Sequence, residues 1–255
     1  MNKFFPCLAL AMALCSSAFA ATGGKPTIVL VHGAFADSSS WNGVTQILHK
    51  DGYDVVAVAN PLRGLANDAQ SVVDLIHSIK HPVVLVGHSY GGPVITEAAN
   101  GNPEVKALVF VSAVAPERGE SVHDILGRFP GSTLPAALAP PVELADGKKD
   151  LYIQQDKFHD QIAADVPDAA TRLAAIAQRP ITTAALSDAA TEATWKNLPS
   201  WFVYGDADKA IPPKALAFMA ERAHSKQTVV VKGASHAVMV SNPQAVASLI
   251  EKAAQ

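Results

Sequence analysis

The apolar run Pro82 to Val86 feeds directly into Gly87-His88-Ser89-Tyr90-Gly91, and that junction constrains the chain more than any other feature. A buried strand that passes through G-x-S-x-G into a helix must reverse within a residue or two. The serine then sits on a strained corner with its hydroxyl exposed. Glycine is required two positions to either side because a side chain there would meet neighbouring backbone.

A chain of 255 residues suits one α/β domain carrying an insertion and can bury a sizeable core. With 20 Lys and Arg against 23 Asp and Glu it has a formal charge of -3 and no basic block, so phosphate-rich partners such as nucleic acid have little to bind. Lys3, the apolar stretch Phe4 to Cys15, and then Ser16-Ser17-Ala18-Phe19-Ala20 have the charged start, short hydrophobic core and A-x-A end of a secretory signal. Residues 1–20 are therefore expected to be a leader cleaved after Ala20, with no stable membrane anchor afterwards and a secreted or periplasmic product. Leu14 is bulky where lipoprotein signals place a small residue before cysteine. Both cysteines, Cys7 and Cys15, fall within the leader, so the mature chain is expected to have no disulfide, no thiol nucleophile and no Cys-ligated metal.

Residues 21–255 then alternate between two patterns. Thr27 to Val31, Val55 to Ala59, Val83 to Val86, Val105 to Val111, Trp201 to Tyr204 and Thr228 to Val231 are short and, but for Lys106, without charge and mostly apolar, as expected of parallel strands covered on both faces. Between them run amphipathic stretches such as Leu216, Met219 and Ala223, or Val246, Leu249 and Ile250, and Asn242-Pro243 opens the last one as cap and first turn. The alternation predicts an α/β fold: about six parallel strands with helices on both faces. From about 117 to 195 no strand is evident. Pro130, Pro135, Pro140 and Pro141 crowd its first part, and Ala-rich helical patterns occupy Phe158 to Ala164 and Ala169 to Ala177. A helical cap over the carboxyl edge of the sheet is the expected role for so long an insertion.

A serine hydroxyl becomes nucleophilic when an imidazole can take its proton and a carboxylate holds that imidazole in the right tautomer. Downstream of Ser89, one strand ends in Tyr204-Gly205-Asp206-Ala207-Asp208 and the next in Gly233-Ala234-Ser235-His236. Both groups emerge at the same sheet edge as the serine. His236 is the candidate base among nine histidines; His88 reads as structural, His32 belongs to the loop motif that follows the first strand, and a metal cluster of the three is less economical than a Ser, His and acid set. Two acids compete for the third place: Asp208 has cleared the strand and precedes Ala210-Ile211-Pro212-Pro213, while Asp206 lies nearer the strand end and can hold the loop.

Leu30-Val31-His32-Gly33-Ala34-Phe35, the serine turn, Tyr204 to Pro212 and Gly233 to His236 together resemble the α/β-hydrolase superfamily over nearly the whole mature chain. In more detail the chain looks like the small serine esterase branch that includes plant methyl esterases and hydroxynitrile lyases. The chain starts directly at the strand before His32-Gly33, so the leading antiparallel strands of larger members are missing. The resemblance implies Ser89, Asp208 and His236 as a catalytic triad, with the Ala34 and Tyr90 amides as an oxyanion hole. Phe35, Trp41, Val238 and Met239, and the Tyr90 side chain, are candidates to line a substrate pocket or to belong to the core.

These features favour a serine hydrolase that cleaves a small or medium carboxylic ester through an acyl-enzyme, with no metal or organic cofactor. A cofactor-free perhydrolase would share the triad. A hydroxynitrile lyase resembles the chain too, but that branch has threonine after the loop histidine and lysine after the catalytic one, where this chain has Gly33 and Ala237. A non-catalytic ligand-binding module is the remaining alternative.

Overall fold

The structure, a computed structural model, describes residues 24–255. The expected leader and both cysteines lie outside the described residues.

Six strands form one parallel sheet: β1 (Thr27–Val31), β2 (Val55–Val58), β3 (Val83–His88), β4 (Val105–Val111), and then, beyond an insertion described below, β8 (Ser200–Gly205) and β9 (Gln227–Val231). Their order is β2-β1-β3-β4-β8-β9. The register pairs Leu30 with Val86 and Val86 with Val109, so apolar side chains from neighbouring strands stack in rows. Alternate residues serve two cores. Val29, Val31, Leu85, Leu108 and Phe110 face the layer of α2 (Leu65–Ser78), α3 (Gly91–Ala98) and α9 (Pro213–Arg222), where Phe110 stacks on Phe202 at 4.6 Å. Ile28, Leu30, Val84, Val86 and Val109 face α1 (Asn42–Lys50), α10 (Val238–Ser241) and α11 (Pro243–Ala253). Both faces are covered, which is why the strands read as apolar runs, broken by the exposed Lys106 near the start of β4. In β9, at the sheet edge, half-buried and exposed residues alternate and Val230 is 51% exposed.

The insertion departs from the expectation of a purely helical segment. It contains α4 (Val122–Arg128), α5 (Leu134–Ala137), α6 (Gln155–Ile162), α7 (Asp168–Ala177) and α8 (Thr183–Ser187), but also a three-stranded antiparallel sheet of β5 (Val142–Glu143), β6 (Lys149–Leu151) and β7 (Ile181–Thr182). Strands of two or three residues leave no alternation to detect, and the turn joining β5 to β6 depends on Gly147 at φ +81°. Ser121 opens α4 with a reciprocal box: its hydroxyl accepts from Asp124 N while the Asp124 carboxylate accepts from Ser121 N. Trp195 Nε1 donates to Pro116 O at 2.7 Å, so the two ends of the insertion meet. Arg63, in the loop before α2, fastens it to the main domain by bonding Asp150 at 2.6 Å and Pro180 O at 2.7 Å. At the other end of the chain, Asn242 precedes α11 without capping it; its amide donates to Ser241 Oγ instead.

The strand order reverses between β1 and β3, so the loops after these two strands diverge and leave a crevice at the carboxyl edge. His32-Gly33-Ala34 and Ser89 occupy those two loops.

Candidate active site

Ser89 follows β3 with φ +54°, in the left-handed region that costs a residue with a side chain about 1–2 kcal/mol. Three bonds over-determine it: Ser89 N donates to Val111 O at 3.2 Å, and Ser89 O accepts from Gly92 N at 3.0 Å and Val114 N at 3.2 Å. The two glycines that matter most are set by close approach. A Cβ on Gly91 would overlap Val31 O, and one on Gly33 would lie 2.6 Å from Ser89 Cβ and 2.7 Å from His88 O. The loop after β1 therefore lies against the serine. Two amides of this region, Ala34 N and Tyr90 N, have no acceptor among the described residues, whereas Phe35 N is taken by Arg179 O at 3.1 Å.

Asp208 and His236 meet as the strand ends suggest. His236 Nδ1 donates to Asp208 Oδ2 at 2.7 Å, with both side chains withdrawn from solvent. The other carboxylate oxygen accepts from Ala210 N at 2.8 Å and Ile211 N at 2.9 Å, so a buried anion has three donors. This leaves His236 Nε2 as the acceptor of the ring. Asp206, the competing acid, points elsewhere and accepts from Gly233 N at 2.6 Å, joining the loops after β8 and β9. Ser89 Oγ and His236 Nε2 are not hydrogen-bonded in this structure. The link is indirect: His88 Nε2 donates to His236 O at 3.2 Å, and the two rings lie 4.7 Å apart. Bonds of this kind are commonly long before substrate arrives.

The remaining histidines of the cluster are neutral braces. His32 Nδ1 donates to Gly33 O at 2.9 Å and its Nε2 accepts from Asn60 N at 3.1 Å, while burial holds its pKa below the ordinary histidine value. Burial, and then repulsion from the His236 ring, pushes His88 well below that value. Its Nδ1 has no partner. Among the described residues, no group of three or more His, Cys, Asp or Glu side chains is arranged to hold a metal ion.

A pocket of about 260 Å³ opens beside these groups. Ala34, Phe35, His88, Ala237 and Met239 form its floor, and Phe158, Ile162, Val166, Ala170, Leu173, Ala174 and Ala177 of the insertion its roof. Phe35 and Met239 thus line it, as two of the candidate pocket residues. Trp41 and Val238 do not. Both are fully buried on the α1 and α11 side of the sheet, because the single turn at Ser38–Trp41 and the start of α10 direct them inward. The Tyr90 side chain is also turned away, its hydroxyl donating to Asp68 Oδ2 at 2.8 Å.

Asp68 is the buried acid that sequence reasoning passes over. It is fully buried and also accepts from Arg63 N at 3.0 and 3.1 Å. One signal was present: it shares a helical stripe with the apolar Leu65, Val72 and Ile76, where a lone charge requires partners.

Residues 28–249 match the alpha/beta hydrolase family. The chain belongs to that family. It is 29% identical to an alpha/beta hydrolase, nvfD, of Aspergillus novofumigatus over 90% of this chain and 97% of that protein. An alpha-hydroxynitrile lyase of Arabidopsis thaliana is 26% identical over 86% of this chain and 93% of its own length. Among solved structures, polyneuridine aldehyde esterase superposes with a TM-score of 0.78 at 20% identity, covering 90% of this chain and 99% of that one, which is a likeness of fold.

Proposed function

We propose that this alpha/beta hydrolase is a serine carboxylic-ester hydrolase. The observation that carries the reading is the buried Asp208–His236 pair at 2.7 Å, with the free imidazole nitrogen left to act as base. In this mechanism Ser89 Oγ attacks the ester carbonyl while His236 Nε2 takes its proton, and Asp208 stabilises the imidazolium. The Ala34 and Tyr90 amides donate to the oxyanion, a contribution of about 3–4 kcal/mol per donor in comparable sites. His236 returns the proton to the departing alcohol. Water, deprotonated by the same nitrogen, then releases the acid from Ser89.

The pocket suits a neutral guest. Its lining is largely apolar, it contains no lysine or arginine, and its single acidic residue is Asp37, whose carboxylate already accepts from Ser39 N. A small or medium ester with an apolar acyl or alcohol group matches both size and polarity. Cyanohydrin cleavage, the activity named for one relative, fits less well: the threonine that its branch places after the loop histidine would put a Cβ 2.6 Å from Ser89 Cβ in this loop.

Hydrolysis of p-nitrophenyl esters from acetate to octanoate, beside lactones, amides and a cyanohydrin, tests the reading. Wild type is expected to hydrolyse the shorter and medium esters and to be labelled by a fluorophosphonate. Ser89→Ala should lose both while keeping its thermal transition. Equal turnover by the two proteins would remove Ser89 from the mechanism.

A further inference from the structure

The imidazole of His236 is oriented by Asp208, but the backbone that carries it is held from a different quarter. On one side of His236, Ser235 N donates to Asp165 Oδ1 at 3.1 Å and the Ser235 hydroxyl bonds the same carboxylate oxygen. On the other side, Ala237 N donates to Ile162 O at 2.9 Å. Ile162 ends α6 and Asp165 lies in the turn before α7, so both contacts belong to the insertion and neither to the sheet. Burial alone would raise the Asp165 carboxyl, but donation from Ser235 and Ser241 outweighs it and holds the group below the ordinary aspartate value. It is therefore an anion at neutral pH. Beyond the far end of α7, Arg179 O accepts from Phe35 N at 3.1 Å. One helix thus spans two tethers: the loop of His236 at its start and the loop of Ala34 and Phe35 at its end.

We propose that Asp165 is a positioning residue that aligns His236 by acting through Ser235, so that docking of the insertion and alignment of the base are a single event. The proposal rests on the hydrolase reading for its kinetic test and is independent of it for its spectroscopic one. An acceptor, not a charge, is what the geometry requires of the link to Ser235, since both Ser235 donors converge on one oxygen. Asparagine retains that oxygen and alanine does not.

Asp165→Ala, Asp165→Asn and Ser235→Ala are compared with wild type by steady-state p-nitrophenyl ester hydrolysis, with thermal unfolding as a control. The downfield proton resonance of His236 Nδ1–H is followed in the same proteins. Asp165→Ala should lower kcat by about 10- to 100-fold with KM nearly unchanged, the loss expected of a displaced catalytic group. It should also broaden the resonance. Asp165→Asn should recover both to near wild type, and Ser235→Ala should reproduce Asp165→Ala. A normal kcat in Asp165→Ala overturns the proposal, as does a rise in KM alone, which would make Asp165 only part of the pocket wall. Equal losses in Asp165→Ala and Asp165→Asn overturn it too, because charge would then be the operative property. If wild type hydrolyses no ester and yet the resonance responds to Asp165→Ala, the hydrolase reading fails and the positioning role stands.

Discussion

Tyr90 immediately follows Ser89, yet its hydroxyl reaches back to bond Asp68 at 2.8 Å inside the domain. Burial, reinforced by the Asp68 carboxylate, pushes that hydroxyl far above its ordinary pKa, so it stays a donor throughout the working range. The side chain is in effect a root for the amide proposed to face the oxyanion. Tyr90→Phe leaves a fully buried carboxylate short of one donor, a change that costs about 1–3 kcal/mol. The expected result is a lower thermal transition together with a kcat reduced by about tenfold. If stability falls and turnover does not, Asp68 serves only the Arg63 loop.

The two aspartates after β8 should separate cleanly. Asp208→Asn presents an amide to His236 Nδ1 and favours the wrong tautomer, so kcat should fall by about 10⁴, the scale seen for such acids. Asp206→Asn keeps an oxygen for Gly233 N and should be close to neutral in turnover. Kinetics at matched thermal stability check both. A severe loss at Asp206 with normal turnover at Asp208 would transfer the role.

Stability should depend on pH through His32 and His88, whose folded-state values are both lowered by burial. Above the ordinary histidine value near 6.5 the rings are neutral in both states and cost nothing. As pH falls below it the unfolded chain takes up protons that the folded rings refuse, so stability declines by up to about 1.4 kcal/mol per pH unit for each ring. Urea unfolding at pH 7.5 and 5.5 should show a lower midpoint at the acidic pH, and His88→Asn should reduce the difference. A pH-independent midpoint would mean that both rings are protonated as readily folded as unfolded.

Export predicts a mature chain that begins at Ala21 and has no titratable thiol, since Cys7 and Cys15 would leave with the leader. Intact mass and thiol titration of the protein recovered from the periplasm or medium measure this directly. Retention of Cys15 would refute cleavage after Ala20.

The main sheet was legible because strands covered on both faces have to be apolar at most positions, and few other segments of this chain are. The Asp208 and His236 positions were legible for a related reason: parallel strands deliver their carboxyl ends to one edge. What pattern cannot convey is which side of the sheet a buried residue serves. Trp41, Val238 and Met239 are all apolar, all near the site in sequence and all buried in one core cluster, yet only Met239 also reaches the pocket. Asp165 was hidden for a further reason. Its partner is 70 residues away, and its importance exists only once the insertion has docked.

Within the roof of the pocket, Ala170, Ala174 and Ala177 form one stripe of α7, while Leu173 on the same helix remains 69% exposed at the rim. Part of the headroom is therefore set by three methyl groups on a helix that buries Thr171 and Ala175 on another side. Exchanging any of them for a bulkier side chain would lower the ceiling and leave the tethers at both ends of the helix in place. The space above the proposed catalytic groups can thus be narrowed in steps from a helix that carries none of them.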